Sequence, residues 1–294
     1  MNTHAEKQVI FLMGPTGAGK TALALKMADE RPVALINVDS AQVYRGLDIG
    51  SAKLSKSMLA RYPHALIDVC DPATPYNVAD FCRDAMMAIE EAFAQGKTPL
   101  LVGGTMMYFR ALMQGLSALP QASPEVRAAI LMQAQEKGWP AMHALLAQVD
   151  PAIAARLKPN DAQRISRALE VYEMTGRPLS DWQAEPTVAF PYPIEAIGLM
   201  PEDRAALHAA LEKRFDAMLA EGFLEEVEGL RAREDLHADL PAIKSVGYQQ
   251  AWAYLNGETD FDTFRALSII ATRQLAKRQM TWLRSWPGLN GHTP

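Results

Sequence analysis

Residues 14–21 read GPTGAGKT, a short stretch whose residue types and spacing favour phosphate binding. Gly14, Gly19, Lys20 and Thr21 occupy the four defining positions of the pattern G-x-x-x-x-G-K-[ST]. Because such a loop carries little side-chain bulk, its backbone N–H groups can turn toward an anion at the start of a helix. Lys20 adds a positive charge, and the Thr21 hydroxyl is placed to bind Mg²⁺. The stretch predicts a bound diphosphate or triphosphate, for which ATP or GTP is the usual carrier.

The phosphate-binding pattern requires a strand before it and a helix after it. Residues 9–13 form an apolar run typical of a buried strand, and residues 22–28 are rich in helix-forming residues. The local sequence therefore supplies the strand–loop–helix context that the chemistry needs.

Asp39 follows the second apolar run, Val33–Val38. Since ligands of open α/β sheets bind beyond the carboxyl ends of the strands, Asp39 should point toward the phosphate loop. The carboxylate there has several possible roles. It could bind Mg²⁺, cap the following turn, pair with Lys20 or act as a general base.

Thr105 follows the run at residues 99–102 after two glycines, Gly103 and Gly104, which permit close backbone approach. No aspartate ends this strand, although motor and switch NTPases normally hold Mg²⁺ through one. The pattern argues against a hydrolytic ATPase and leaves small-molecule kinases and other group-transfer enzymes. Arg214, alone, is typical of surface charge, yet its guanidinium is also suited to gripping a diphosphate.

The apolar runs predict the architecture that must position these residues. Runs at 65–69 and 196–200 complete a set of short strands separated by helix-length segments such as 79–95. This alternation predicts an α/β fold, P-loop NTPase-like, with a mostly parallel sheet flanked by helices. Between residues 119 and 193 the strand rhythm stops, which predicts an all-helical insertion in a core formed by residues 1–118 and 194–294. Helices are expected at 124–137, 141–148, 161–175, 202–231, 247–255 and 261–283, with Asp203 and Thr259 as starts and Gly222 and Gly257 as breaks.

Composition sets limits on the class of protein. The 294 residues are 49% hydrophobic and 21% charged, which is typical of a soluble globular chain. No run of about 18 apolar residues is present, so we expect no membrane span. The N-terminal residues run directly into the first strand and leave no room for a signal peptide. Cys70 and Cys82 lack the spacing of a metal site or a disulfide framework, and we expect a cytoplasmic location.

Two local runs of basic residues stand out against a net charge of −5. The first contains Arg156, Lys158, Arg164 and Arg167, and the second contains Arg273, Lys277, Arg278 and Arg284. A solvated helix face is the ordinary explanation of such runs, and contact with nucleic acid is the alternative.

Several motifs together resemble one family. They are GPTGAGKT (14–21), DSAQVYRGLDIGSAK (39–53), GGTMMY (103–108), AQRISRALEVYEMTGRP (162–178), IKSVGYQQ (243–250) and RQLAKRQMTWLR (273–284). In this order, over nearly the whole chain, the motifs resemble the bacterial tRNA dimethylallyltransferases. The second and last are far more specific than the phosphate loop, in which Gly17 and Ala18 replace a common Ala-Ser.

The resemblance implies a reaction. A dimethylallyl group would pass from dimethylallyl diphosphate to N6 of adenosine 37, beside the anticodon, in tRNAs that read codons starting with U. Asp39 and Thr105 would be catalytic: Asp39 would take a proton from N6, and Thr105 would donate a hydrogen bond to the bridging oxygen. Mg²⁺ would be the cofactor, with Thr21 as its protein ligand. The protein is expected to be a monomer.

The resemblance also implies two sets of binding residues. The diphosphate would contact Gly14, Pro15, Thr16, Gly17, Ala18, Gly19, Lys20, Thr21 and Arg214. The tRNA anticodon stem-loop would contact Asp39, Ser40, Ala41, Gln42, Thr105, Arg127, Gln163, Arg164, Ile165, Ser166, Arg167, Lys244, Lys277, Arg278, Gln279, Met280, Thr281, Trp282, Leu283 and Arg284. These positions include five of the eight residues of the two basic runs, which favours the nucleic-acid interpretation.

Two other functions are compatible with parts of this pattern. A P-loop small-molecule kinase would use ATP in the same cleft, with the insertion as its lid. A non-catalytic RNA-binding protein would retain the phosphate loop without its chemistry, but would have no evident need for Asp39, Thr105 and Arg214 together.

Overall fold

The structure is a computed structural model that describes residues 7–117, 119–120 and 123–292. Its strands are β1 (Val9–Met13), β2 (Val33–Val38), β3 (His64–Ala65), β4 (Thr98–Gly103), β5 (Ile194–Leu199) and β6 (Asn290–His292). They form one sheet in the order β3-β2-β4-β1-β5-β6, with each neighbouring pair parallel. The expected parallel α/β sheet is confirmed.

Strand β1 is entirely apolar because it lies inside the sheet, between β4 and β5. All five residues of Val9–Met13 are buried, because β4 and β5 pair with β1 on its two sides. Met13 lies opposite Gly103 on one side and opposite Gly198 on the other. The carboxyl ends of three strands therefore meet where the phosphate loop begins.

The helices follow in chain order. They are α1 (Lys20–Glu30), α2 (Lys56–Arg61), α3 (Val78–Ala94), α4 (Met106–Gln114), α5 (Pro124–Lys137), α6 (Trp139–Val149), α7 (Pro151–Ala154), α8 (Ala162–Thr175), α9 (Leu179–Ala184), α10 (Arg204–Ala220), α11 (Phe223–Arg231), α12 (Tyr248–Leu255) and α13 (Phe261–Arg284). Aspartate side chains begin two of the long C-terminal helices, as Asp203 caps α10 and Asp260 caps α13. The start expected at Thr259 thus lies one residue early.

The chain divides into two compact units. One contains the described residues up to Leu112 together with those from Pro191 onward, and the other spans Met113–Phe190. The second unit is all helical and has its own core, in which α5, α6, α7 and α8 bury residues such as Ile130, Leu146 and Leu169. The insertion was expected at 119–193, so both of its boundaries lie a few residues earlier. Residues 1–6, 118, 121–122 and 293–294 lie outside the described residues.

Several elements differ from those expected from sequence. The strand expected at 65–69 ends at Ala65, because Leu66 and Asp68 have φ angles of 64° and 56° that interrupt extended backbone. The helical segment expected over 202–231 breaks at Gly222, the predicted position, where φ is 97°. Helices α2, α4, α7 and α9 and strand β6 were not predicted. Across the described residues, no helix is long and apolar enough to span a membrane.

Gly103 pairs with Val38 where β2 and β4 end. A Cβ atom there would lie 2.0 Å from the backbone oxygen of Val38, which cannot move without separating the strands. We expect Gly103→Ala to lower the free energy of unfolding by about 1–3 kcal/mol. Urea unfolding measures this loss. Gly229→Ala in α11 is the matched control, because its Cβ would meet no atom within 4 Å; equal losses in both variants would contradict the steric cause.

Candidate active site

The phosphate loop lies between β1 and α1 in an open conformation that glycine permits. Gly17 and Gly19 both have a φ of 81°, a region that other residues rarely adopt. Gly19 is the N-cap of α1, and no side chain caps this helix, nor does its first turn carry an acidic residue. The positive end of the α1 dipole is therefore left for an external anion.

Some backbone N–H groups of the loop are already bonded within the protein and cannot donate to a bound anion. The Thr16 N–H donates to Oε1 of Gln279 at 2.9 Å, and the Ala18 N–H donates to the Pro15 carbonyl at 3.2 Å. Pro15 has no N–H. Every residue from 14 to 21 was expected to bind the diphosphate. Pro15, Thr16 and Ala18 have no free backbone N–H to donate to it, and the expectation is corrected for these three residues.

The remaining donors are grouped at the exposed side of the loop. Gly17, Gly19 and Thr21 are exposed, and within the described residues their N–H groups have no acceptor. Successive free N–H groups at the start of a helix form an anion-binding site. The Thr21 hydroxyl is also exposed and makes no hydrogen bond with any described residue.

Two cations lie beside this loop. Nζ of Lys20 donates to the Pro15 carbonyl at 2.8 Å, and burial lowers the pKa of Lys20 to about 8, partly opposed by the nearby Asp39 carboxylate. Arg214, on α10, is half-buried rather than on the open surface, and burial lowers its pKa while Asp39 raises it. The Arg214 charge also lowers the pKa of Lys20, and a bound anion would favour the charged form of both side chains.

Asp39 leaves β2 at the same edge and is fixed by its own turn. Its Oδ1 accepts the N–H of Ala41 at 2.9 Å and that of Gln42 at 3.4 Å. No ion pair within 4.0 Å joins Asp39 to Lys20 or Arg214, whose positions the structure describes. The turn-capping role is therefore confirmed for one oxygen, while Oδ2 keeps no protein partner among the described residues.

Thr105 contacts the segment that carries Asp39. The Ser40 N–H donates to Oγ1 of Thr105 at 3.1 Å, and the Thr105 hydroxyl lies 3.5 Å from the Ser40 hydroxyl. The pairing of Val38 with Gly103 brings these residues together, and the Thr105 N–H donates to the Val38 carbonyl. The two predicted catalytic side chains thus lie on adjacent strand ends, as the sequence predicts.

The segment after Asp39 is held by buried polar contacts that sequence reasoning missed. The Glu226 carboxylate accepts the N–H groups of residues 48–50 at 2.7–3.2 Å and the Tyr248 hydroxyl at 2.6 Å. Lys53, with a side chain 2% exposed, contacts Asp48 and Asp68 at 2.6 Å each. In the 39–53 motif, residues 48–50 (Asp-Ile-Gly) and 51–53 (Ser-Ala-Lys) therefore serve to hold the segment in place.

Helix α13 presents a basic outer face. Lys277, Arg278 and Arg284 are exposed and form no ion pair with the described residues, whereas Arg273 pairs with Glu212 on α10 at 2.9 Å. Arg273 therefore does not add to the free positive charge. The Arg110 guanidinium lies over the Trp282 ring, 5.4 Å from its centroid, and Trp282 is 37% exposed.

Some expected tRNA contacts are corrected by burial. Leu283 is 1% exposed and Gln279 is 8% exposed, so both side chains belong to the interior side of α13. In the helical unit, Ile165 is fully buried and Ser166 is 7% exposed. The 3.6-residue period of a helix requires such inward positions within any continuous run of assigned residues.

The helical unit gathers two of the predicted RNA-binding arginines around one buried acid. Glu170 is fully buried, and it contacts Arg127 at 3.2 Å and Arg167 at 3.0 Å. Arg127 remains half-exposed, and Gln163 and Arg164 are exposed at the start of α8. Lys244, in the first unit, is exposed and pairs with Asp239. The remaining members of the predicted set, Met280 and Thr281, are half-buried and exposed respectively.

The donor set can be tested against Mg²⁺. Among the described residues, no group of three or more His, Cys, Asp or Glu side chains could enclose a metal ion. Mg²⁺ commonly takes one or two protein ligands, several waters and phosphate oxygens of a substrate. The exposed Thr21 hydroxyl fits that mode, in which the metal would arrive with a diphosphate.

The chain is similar in sequence to known proteins over nearly its whole length. Residues 42–286 match the family model described as IPP transferase, and residues 7–69 match that described as isopentenyl transferase. The tRNA dimethylallyltransferase of Thiobacillus denitrificans is 53% identical over 288 residues, covering 98% of the chain and 92% of that relative. That of Thioalkalivibrio sulfidiphilus is 57% identical over 281 residues, covering 95% and 88%.

Solved structures show the same similarity. A tRNA isopentenylpyrophosphate transferase from Bacillus halodurans superposes with a TM-score of 0.71 at 31% identity, covering 98% of the chain and 90% of that structure. A eukaryotic dimethylallyltransferase acting on tRNA gives a TM-score of 0.79 at 26% identity, covering 98% and 74%. The P-loop NTPase-like fold is confirmed. With a family model over most of its length and curated relatives above 50% identity, the chain belongs to the tRNA dimethylallyltransferase family.

Proposed function

We propose that this protein transfers a dimethylallyl group from dimethylallyl diphosphate to N6 of adenosine 37 in tRNAs that read codons starting with U. The observation that carries the proposal is the close grouping of unpaired phosphate-loop donors, two partly desolvated cations and the Asp39–Thr105 pair. A non-catalytic RNA-binding protein would have no evident need for a base held next to an anion-binding loop. The family membership of the chain supports the same reaction.

The proposed mechanism divides the work among residues of the first unit. The N–H groups of Gly17, Gly19 and Thr21 bind the diphosphate, and Lys20 and Arg214 stabilise the negative charge that develops as the allylic C–O bond breaks. The N6 amine forms the new C–N bond, and Oδ2 of Asp39 accepts its proton. Thr105 donates a hydrogen bond to the bridging oxygen of the leaving diphosphate.

Thr21 would hold Mg²⁺, which would add positive charge against the leaving diphosphate. The adenine must leave its stack to reach Asp39, and unpaired anticodon-loop bases are suited to such access. We place the tRNA contacts on the exposed members of the predicted set, among them Ser40, Arg127, Lys277 and Arg278. A cytoplasmic, monomeric protein is the simplest setting for this chemistry.

A labelled-prenyl transfer assay tests the proposed function. Purified protein, labelled dimethylallyl diphosphate and Mg²⁺ should label an unmodified anticodon stem-loop that contains A36-A37, and a stem-loop with G37 should stay unlabelled. If neither RNA is labelled while ATP is consumed with a small acceptor, the kinase function replaces the proposed one. Binding of the stem-loop without any transfer would instead identify a non-catalytic RNA-binding protein.

The basic face of α13 predicts that RNA affinity depends strongly on salt. For each phosphate contact, the logarithm of the RNA association constant falls by about 0.7–0.9 per tenfold rise in salt concentration. The three unpaired cations should therefore give a slope of log K against log salt near −2 or steeper. Filter binding of the stem-loop between 50 and 300 mM KCl measures the slope. Lys277→Met with Arg278→Met should flatten it by about 1.5. The control is the double variant Lys26→Met with Lys97→Met, which removes two exposed charges outside the predicted RNA-binding set. An unchanged slope in the Lys277→Met, Arg278→Met variant would contradict the assigned RNA-binding surface.

A further inference from the structure

Gln279 has an unusual position for a residue of the basic 273–284 motif, which is predicted to bind RNA. On α13 the preceding Arg278 and the nearby Thr281 are exposed, yet Gln279 itself is buried, with its amide bonded to Gly104 just after β4. The side chain therefore cannot serve the outer face of α13. Its polar atoms must find partners in the protein interior.

The amide of Gln279 joins two loops that are distant in sequence. Its Oε1 accepts the Thr16 N–H at 2.9 Å, and its Nε2 donates to the Gly104 carbonyl at 2.9 Å. Only this orientation of the amide satisfies both partners, because the reverse would oppose donor to donor and acceptor to acceptor. A carboxylate or a thioether in its place cannot make both hydrogen bonds.

Gly104 makes room for this bridge. A Cβ atom at residue 104 would lie 2.3 Å from Nε2 of Gln279 and 3.3 Å from the Gly14 carbonyl. The glycine thus lets the amide enter between the phosphate loop and the end of β4. This explains the second glycine of GGT, which has no positive φ to account for it.

We infer that Gln279 is a positioning residue that fixes the distance between the phosphate-binding donors and the Thr105 hydroxyl. Thr16 immediately precedes Gly17, the first free donor of the loop, and Gly104 immediately precedes Thr105. A diphosphate held by the loop must place its bridging oxygen at Thr105, so an error of about 1 Å in this spacing would cost up to ~10²-fold in turnover. The inference rests on the proposed function for its kinetic consequences, but the bridge also predicts binding of diphosphate alone.

Gln279→Met tests the bridge because methionine keeps the volume and the packing of α13 while removing both hydrogen bonds. We expect kcat for prenyl transfer to fall about 10- to 10²-fold and KM for the RNA to stay within about twofold of the wild type. Gln274→Met is the matched control, because Gln274 is exposed on the same helix. A raised KM for RNA with unchanged kcat would overturn the inference and return Gln279 to the RNA surface.

Gln279→Glu supplies a readout that a purely structural role would not move. Its carboxylate can accept from Thr16 but repels the Gly104 carbonyl, whereas the protonated acid can donate to that carbonyl. The ratio of variant to wild-type kcat should therefore rise as pH falls from 8 to 5.5, while the ratio for Gln279→Met stays constant. A constant ratio for Gln279→Glu would also overturn the inference. This variant decides the matter if Gln279→Met does not fold, which thermal unfolding reports.

Calorimetric titration with inorganic pyrophosphate separates this inference from the proposed function. It requires no transfer, so it remains informative if the wild type proves inactive on RNA. Gln279→Met should bind pyrophosphate about three- to tenfold more weakly than the wild type, the equivalent of one lost net hydrogen bond. Gln274→Met should bind as the wild type does; equal affinity in all three proteins would contradict the bridge.

Discussion

Replacing Asp39 with asparagine should lower prenyl-transfer turnover by about 10²- to 10⁴-fold while leaving diphosphate affinity within a few fold. The amide keeps an Oδ1 atom that accepts the Ala41 and Gln42 N–H groups, so the turn is retained. It cannot accept a proton at the position of Oδ2. Since the exocyclic amine is a weak nucleophile, losing the proton acceptor should affect the chemical step rather than binding. Single-turnover labelling of the stem-loop measures that step.

The control for Asp39 is its neighbour Ser40. The Ser40 backbone N–H makes the 3.1 Å contact with Thr105, whereas its exposed hydroxyl lies 3.5 Å from the Thr105 hydroxyl. Ser40→Ala keeps the shorter contact and should change the single-turnover rate by less than about tenfold. Pyrophosphate titration of Asp39→Asn completes the comparison. A large loss of diphosphate affinity with normal single-turnover rate would make Asp39 a structural or Mg²⁺-binding residue. The proposed base would then have to be sought elsewhere.

The parts of the site that sequence predicts are those whose position depends on local order and sheet topology. Asp39 follows β2 and Thr105 follows β4, and parallel pairing of β2 with β4 necessarily places both residues at one edge. The phosphate loop is predicted for the same reason, since strand, loop and helix are contiguous in the sequence. For these residues, element type and order are sufficient.

The parts that sequence does not predict depend on contacts between distant residues. Glu226 fixes residues 48–50 from more than 170 positions away, and Gln279 reaches Thr16 across 263 positions. No period or spacing identifies such partners. The resemblance assigned Gln279 to RNA as one residue of the continuous run 277–284. On a helix it lies three residues after Ala276 and four before Leu283, both buried, and therefore faces inward with them. A helical projection of 273–284 onto the apolar positions Ala276 and Leu283 would have supplied that signal.

The pH dependence of diphosphate affinity should show that the protonated Lys20 side chain supplies the positive charge of the loop. Burial lowers the pKa of Lys20 from its ordinary value of 10.5 to about 8, so the free protein carries this charge below pH 8 and loses it above. A bound diphosphate favours the protonated form, which raises the pKa again. Affinity should therefore be constant from pH 7 to 8 and fall about tenfold per pH unit between 8.5 and 9.5, with close to one proton taken up per diphosphate bound. Calorimetry in buffers of different ionisation enthalpy measures both quantities.

Lys20→Met should remove the pH dependence as well as the affinity. Without a titrating group at this position, pyrophosphate affinity should be lower by about 10²- to 10³-fold at pH 7.5 and show no further decline above pH 8. Lys26→Met, on the exposed face of the same helix, should keep the wild-type profile. Arg214 provides the internal check, because arginine remains charged throughout this range although burial lowers its pKa. Its removal should weaken binding but keep the pH-dependent decline, moved to higher pH because the Arg214 charge lowers the pKa of Lys20. If the decline above pH 8 persisted in Lys20→Met, the titration would belong to another group and the loop lysine would be charged at all working pH values.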